Sequence, residues 1–159
     1  MTDKREEILA YLETSLATVE GIVELYRDRG DLTNFQRPAI MLLDGTEDVR
    51  TEQAGTNLRS MAPAVYTLRP EIFLIARSRD DMSNTTLNGV AAPIGPELSD
   101  WRIKILKKIS RDINLVTLLG PNGQVQYMGS ETDMRTDNTL EGMILFHFAF
   151  SYVLDPAKL

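Results

Sequence analysis

Cysteine is missing from all 159 residues, which excludes disulfides, thiolate metal sites and cysteine nucleophiles. The fold must therefore stand on its core alone. Histidine occurs once, as His147. A serine–histidine–aspartate triad would need that residue as its base, yet it falls between two phenylalanines in a strand-like run. It reads as a sheet-face or interface residue. A metal site would have to draw its other ligands from Asp and Glu, because no second histidine is present. No metal and no cofactor are expected.

Basic residues are in deficit. Seventeen Lys and Arg face 23 Asp and Glu, for a net charge of -6. Tight nucleic-acid binding needs a dense basic surface to displace counterions, so this balance argues against it. A surface past which DNA merely slides remains compatible with it. Long apolar runs are lacking too: the longest, Gly142 to Leu154, is interrupted by His147 and Ser151 and is too short to cross a bilayer as a helix. The charged start, Met1 to Glu7, has no signal-peptide stretch. The expectation is a protein made in a cytoplasm, with no membrane partner.

Familiar chemical motifs are absent as well. Gly120-Pro121-Asn122-Gly123 carries no Gly-Lys-Ser/Thr and reads as a hairpin turn, not a phosphate loop. Carboxylates gather at Asp44, Glu47 and Asp48, at Asp80 and Asp81, and at Glu131 and Asp133. None of these groups has the alternating acids, Gly and closing Glu of an EF-hand, so solvated turns explain them better. Lys104, Lys107 and Lys108 have acids near them in sequence and no interleaved aromatics, which fits a solvated helix face. No catalytic constellation emerges from these residues, and on them alone the chain reads only as a soluble domain with long loops.

What is present is a clear pattern of elements in a chain sized for one domain, 1–159. Asp3 followed by Glu6 signals a helix start, and Ile8, Leu9, Leu12, Leu16 and Val19 mark an amphipathic helix over 4–18. Residues 22–26 are rich in β-formers, and 39–43 form an apolar strand ending at a turn, Asp44-Gly45. Residues 45–60 and 79–95 read as long loops. They carry Arg50, Arg59 and Arg79, with Met61 and Met82 in or beside them, and suit contacts with partners.

Between these loops, 61–78 alternates as a half-buried strand. Ala64, Tyr66, Leu68, Ile72, Leu74 and Ala76 share one phase, and Thr67, Arg69, Glu71 and Arg77 the other. Pro70 confines that position to an edge or a bulge. Pro96 opens a second helix whose stripe is Leu98, Trp101, Ile105, Ile109 and Ile113. Residues 116–119 and 124–128 can form a hairpin, and 129–141 is polar. In the last strand, 143–154, Ile144, Phe146, Phe148, Phe150, Tyr152 and Leu154 face one way, opposite His147, Ala149 and Ser151. The expected fold is α+β: a mostly antiparallel sheet flanked by two helices, most simply on one face, with long loops.

The order of these elements resembles a known family. A first helix leads to Tyr26-Arg27-Asp28-Arg29-Gly30-Asp31-Leu32, then to Arg37-Pro38-Ala39-Ile40 and Leu42-Leu43-Asp44-Gly45. Tyr66-Thr67-Leu68-Arg69-Pro70-Glu71-Ile72 follows, and a closing strand runs from Gly142-Met143-Ile144-Leu145-Phe146 to Tyr152-Val153-Leu154-Asp155-Pro156. Together they look like the tail terminator, or tail-completion, proteins of long-tailed bacteriophages. The resemblance implies a virion structural protein and not an enzyme, assembled in the host cytoplasm, that forms a homohexameric ring capping the tail tube and joining it to the head connector. Its partners would be further copies of itself, the tail tube protein, the head connector or neck protein, and DNA passing through the channel without specific binding. Arg69, Glu71, Arg77, His147 and Ser151 are the candidate channel or subunit-interface residues. Another ring protein of the head–tail neck, or an α+β ligand-binding domain or enzyme using the aromatic face as a pocket, are the alternatives.

Overall fold

The computed structural model describes residues 3–28, 37–50, 63–77, 86–87, 90–91, 94–134 and 142–155. Much of the expected loop 45–60 and most of 79–95, with Arg59, Arg79, Met61, Met82, Asp80 and Asp81, lie outside them.

The first helix, α1 (Lys4–Ala17), starts where Asp3 caps it, its carboxylate accepting from the Arg5 amide at 3.1 Å. Glu6 does not complete a capping box; its carboxylate reaches Arg27 instead. Ile8, Leu9, Leu12 and Leu16 are buried, as their spacing predicts. The chain continues through β1 (Glu24–Arg27), β2 (Ala39–Arg50) and β3 (Ala64–Arg77). A two-residue hairpin pair follows, β4 (Thr86–Leu87) and β5 (Val90–Ala91). Then come α2 (Ile94–Ser110), α3 (Ile113–Leu119), β6 (Gln124–Met134) and β7 (Gly142–Leu154).

Five strands form one sheet in the order β1-β2-β3-β7-β6, antiparallel except for the β1–β2 pair. The three helices of the described residues all contribute to one apolar cluster with one sheet face, including Leu42, Leu68, Ile72, Phe146, Phe148 and Phe150. The fold is α+β, as expected. Phe148 is the hub of an aromatic row, with ring centroids 6.5 Å from Phe146, 6.0 Å from Phe150 and 5.3 Å from Tyr127. Such stacked and tilted rings add to what their buried area contributes.

Four local expectations are corrected. The expected first arm of the 116–128 hairpin is the helix α3: Asp112 caps it, accepting from the amides of Asn114 and Leu115, and Gly120 ends it. That cap also breaks the predicted second helix before Ile113, which is 79% exposed. The turn at Asp44-Gly45 is a bulge inside a longer strand, after which β2 continues to Arg50. Residues 129–134, part of the polar stretch 129–141 to which the sequence assigns no element, extend β6 along β7.

Pro70 explains the bulge. It lies in the middle of β3, a central strand flanked by β2 and β7, where a missing amide hydrogen would leave a gap in a regular ladder. The β2 register shifts between Leu43 and Thr46, directly across from it. Gly45 there has φ +65°, and a Cβ on it would lie 2.9 Å from the Pro70 Cα. Of the two positions open to Pro70, the chain uses the bulge.

A candidate interaction surface

The sheet's second face holds the candidate residues. Because β-strand side chains alternate, the strands that put Leu68, Ile72, Phe146 and Phe150 into the core turn their neighbours the other way. No helix among the described residues covers that side.

Register fixes which residues meet there. Glu71 pairs with His147, and Thr67 pairs with Ser151, whose hydroxyls lie 3.2 Å apart. Arg69, the residue between those two pairs on this face, forms an ion pair with Asp48 of β2. From β6, Glu131 reaches His147, with its carboxylate 3.2 Å from Nε2. Four of the five predicted residues, Arg69, Glu71, His147 and Ser151, thus belong to one polar band. Arg77 lies apart, at the end of β3 in register with Gly142, and its side chain is outside those described.

The band borders an apolar strip. Met41 pairs with Phe73 and Phe73 with Leu145; Ala39 pairs with Ile75 and Ile75 with Met143. Ala39, Met41 and Ile75 are buried, while Phe73, Leu145 and Met143 are half-buried. Phe73 and Ile75 blur the alternation in the sequence because both faces of the sheet are apolar at this end. The full strip could not be found from β3 alone, since it needs the pairing with β2 and β7.

Charge on the second face is uneven. Toward β2, Asp48 is matched by Arg69, with Arg50 at the strand's end. Toward β6, Glu71 and Glu131 flank His147 with no Lys or Arg paired to either among the described residues. Such an arrangement suits recognition of a cationic or amphipathic surface. Among the described residues, no group of three or more His, Cys, Asp or Glu is placed to hold a metal ion.

Two further clusters lie on the helix side, and the sequence did not single them out as units. Arg27 joins β1 to α1 and β2, donating to both carboxylate oxygens of Glu6 at 2.6 and 2.8 Å and of Asp44 at 2.8 and 3.0 Å. The Arg27 hydrogen bonds hold both carboxyls below their ordinary range and raise the guanidinium's own affinity for its proton. Asp112 accepts from Tyr11 at 2.8 Å and Ser15 at 3.1 Å, tying α1 to the start of α3. Burial pushes the Asp112 carboxyl up, but these hydrogen bonds and those from the Leu115 and Asn114 amides outweigh it, leaving a net depression. Both clusters are structural ties whose partners are far apart in sequence.

Beside α2 lies an open cleft of about 350 Å³, lined by Thr18, Val19 and Glu20 after α1 and by Lys104, Lys107 and Lys108. No protein-family model matches the sequence, and no curated protein matches it either.

Proposed function

We propose that this chain is a structural subunit of a tailed-phage particle, forming a ring that caps the tail tube and joins it to the head connector. One observation carries the reading beyond the order of elements: a sheet with helices on one side and, on the other, an apolar strip beside a polar band. A half-covered apolar face is stabilised when another surface covers it, and closed rings are a common way to provide one. Arg69, Glu71, His147 and Ser151 then turn toward a neighbouring subunit or toward the channel. The net charge of -6 suits a ring whose channel lets DNA pass without gripping it, because each neutralised phosphate would add affinity.

The test is assembly and joining. Class averages of the purified protein in negative stain should show closed rings with a central opening. In a phage that encodes the chain, its deletion should leave filled heads and tails unjoined. Joined, infectious particles formed at the normal yield without it would refute the proposal.

A further inference from the structure

Helix α2 carries Glu97 and Asp100 in its first half, Arg102 at its middle, where it donates to the Tyr127 and Ser130 hydroxyls of β6, and Lys104, Lys107, Lys108 and Arg111 in or just beyond its second half. The spacing of those four cations is i, i+3, i+4, i+7, which places them on one side of the helix. Three of the chain's five lysines are in this stripe. None of the four forms an ion pair with a carboxylate among the described residues. The Lys104 ammonium instead sits 4.6 Å from the Trp101 ring centroid and donates to the Glu20 carbonyl at 3.4 Å. Like charges at this spacing repel one another weakly, so an acidic surface laid against them would relieve the repulsion. The cleft beside α1 gives a carboxylate room among three ammonium groups.

Apolar residues border the stripe. Ile103, one helical turn before Lys107, is 47% exposed, and Ile113 and Val116 on α3 are at least as exposed. A phosphate backbone offers such side chains nothing, whereas a protein surface of mixed character does. That character is found on the opposite side of this same molecule. On the second sheet face, exposed Glu71 and Glu131 adjoin half-buried Phe73 and Leu145, with Val153 39% exposed farther along β7. Two different, complementary surfaces on opposite sides of one subunit are what a head-to-tail contact requires, and such contacts build rings where the rotation between copies closes.

We infer that the α2 stripe of one subunit docks against the Glu71–Glu131 region of the second face of another copy. This rests on the ring-subunit reading and adds the two surfaces that make the seam. The test uses the full chain and two double variants, Lys107→Glu with Lys108→Glu and Glu71→Lys with Glu131→Lys, followed by sedimentation velocity. The native chain should associate, roughly tenfold more weakly at high salt than at low. Each variant alone should sediment as a monomer while keeping a native melting curve. An equimolar mixture should recover the assembly, because alternating subunits restore every charge pair.

A stripe variant that assembles as the native chain does overturns the seam while leaving the ring reading intact. So does a mixture of two folded variants that stays monomeric. A native chain that is monomeric at low salt also overturns the seam, and the ring reading is then decided by whether heads and tails join. Low-salt duplex DNA binding that disappears with the stripe variant, at unchanged mass, would assign the stripe to phosphate instead.

Discussion

Gly45 is a position where the fold leaves no room for a side chain. Its φ of +65° lies in the left-handed region, which costs an alanine about 1 kcal/mol or somewhat more. A Cβ there would also overlap the Arg69 carbonyl, 2.8 Å from its carbon and 2.9 Å from the Pro70 Cα. These are backbone atoms of a central strand, so relief requires moving β2 away from β3, at about 1–3 kcal/mol. Gly45→Ala should therefore cost about 3 kcal/mol in all. For a chain of this length that lowers the melting temperature by roughly 6–12 °C. Gly95→Ala is the control: nothing lies within 4 Å of its Cβ, and it sits in the first turn of α2, where alanine is the better helix former. Asparagine separates the two contributions, since it enters the left-handed region more readily than alanine but carries the same Cβ. Differential scanning calorimetry of the three variants checks this. If Gly45→Asn melts within about 2 °C of the native protein, the backbone overlap at Pro70 is not a constraint and the account of the bulge is wrong.

Asp112→Ala should cost about 2–3 kcal/mol at neutral pH, because it removes the α3 cap and the bonds from Tyr11 and Ser15. The folded-state pKa of Asp112 is depressed, so its contribution is present above the ordinary Asp value and lost as pH falls through the folded one. Urea midpoints of native and variant should thus converge below about pH 4, and a gap that stays constant with pH would contradict this. Arg27→Met keeps the stem but leaves Asp44 without its two hydrogen bonds; urea unfolding should show a loss of about 1–2 kcal/mol, which Arg27→Lys recovers only in part because an ammonium cannot reproduce the fork. Phe148→Ala, at the hub of the aromatic row, should cost about 3–5 kcal/mol in chemical denaturation, and a loss below about 1 kcal/mol would mean the row does not hold the core.

The elements legible in the sequence are those whose periodicity survives alone. The buried side of α1, the two phases of β3 and the alternation of β7 all follow from local spacing, and each forms as expected. What failed depends on groups remote in sequence. The 116–119 segment has β-branched and aliphatic residues that suit a strand, but Asp112 caps it as a helix and is itself held by Tyr11, about a hundred residues earlier. Residues 46–50 and 129–134 are too polar to announce a strand. They pair because β3 and β7 present free ladder positions beside them. For the candidate site, alternation placed Arg69, Glu71, His147 and Ser151 on the right side of their strands. It could not bring Glu131 to His147 or Asp48 to Arg69, since those contacts depend on strand order and on two bulges.

The edges of the sheet bear on how copies of this chain can meet. An exposed strand edge can pair with another chain, and natural proteins discourage this with short strands, bulges and charge. At one edge, β1 is four residues long, with Glu24 at one end and Arg27 at the other. At the other edge, β6 is broken by a bulge between Tyr127 and Gly129, where Met128 is 56% exposed and Gly129 has φ +130°. The bulge twists the strand locally and interrupts the row of amides that a neighbour would need. Glu131 beyond it is an exposed charge on this edge strand, a further deterrent to pairing. Sheet extension is therefore disfavoured at both ends, and association through faces is left as the geometry that buries apolar surface without breaking these devices. Of the faces, the helix side already covers the main core, whereas Phe73, Met143 and Leu145 on the second face are only half-buried and still gain from being covered. Whether copies associate face to helix layer or face to face then turns on charge. Two second faces brought together would set Glu71 and Glu131 near their own kind, while the α2 stripe offers them four cations.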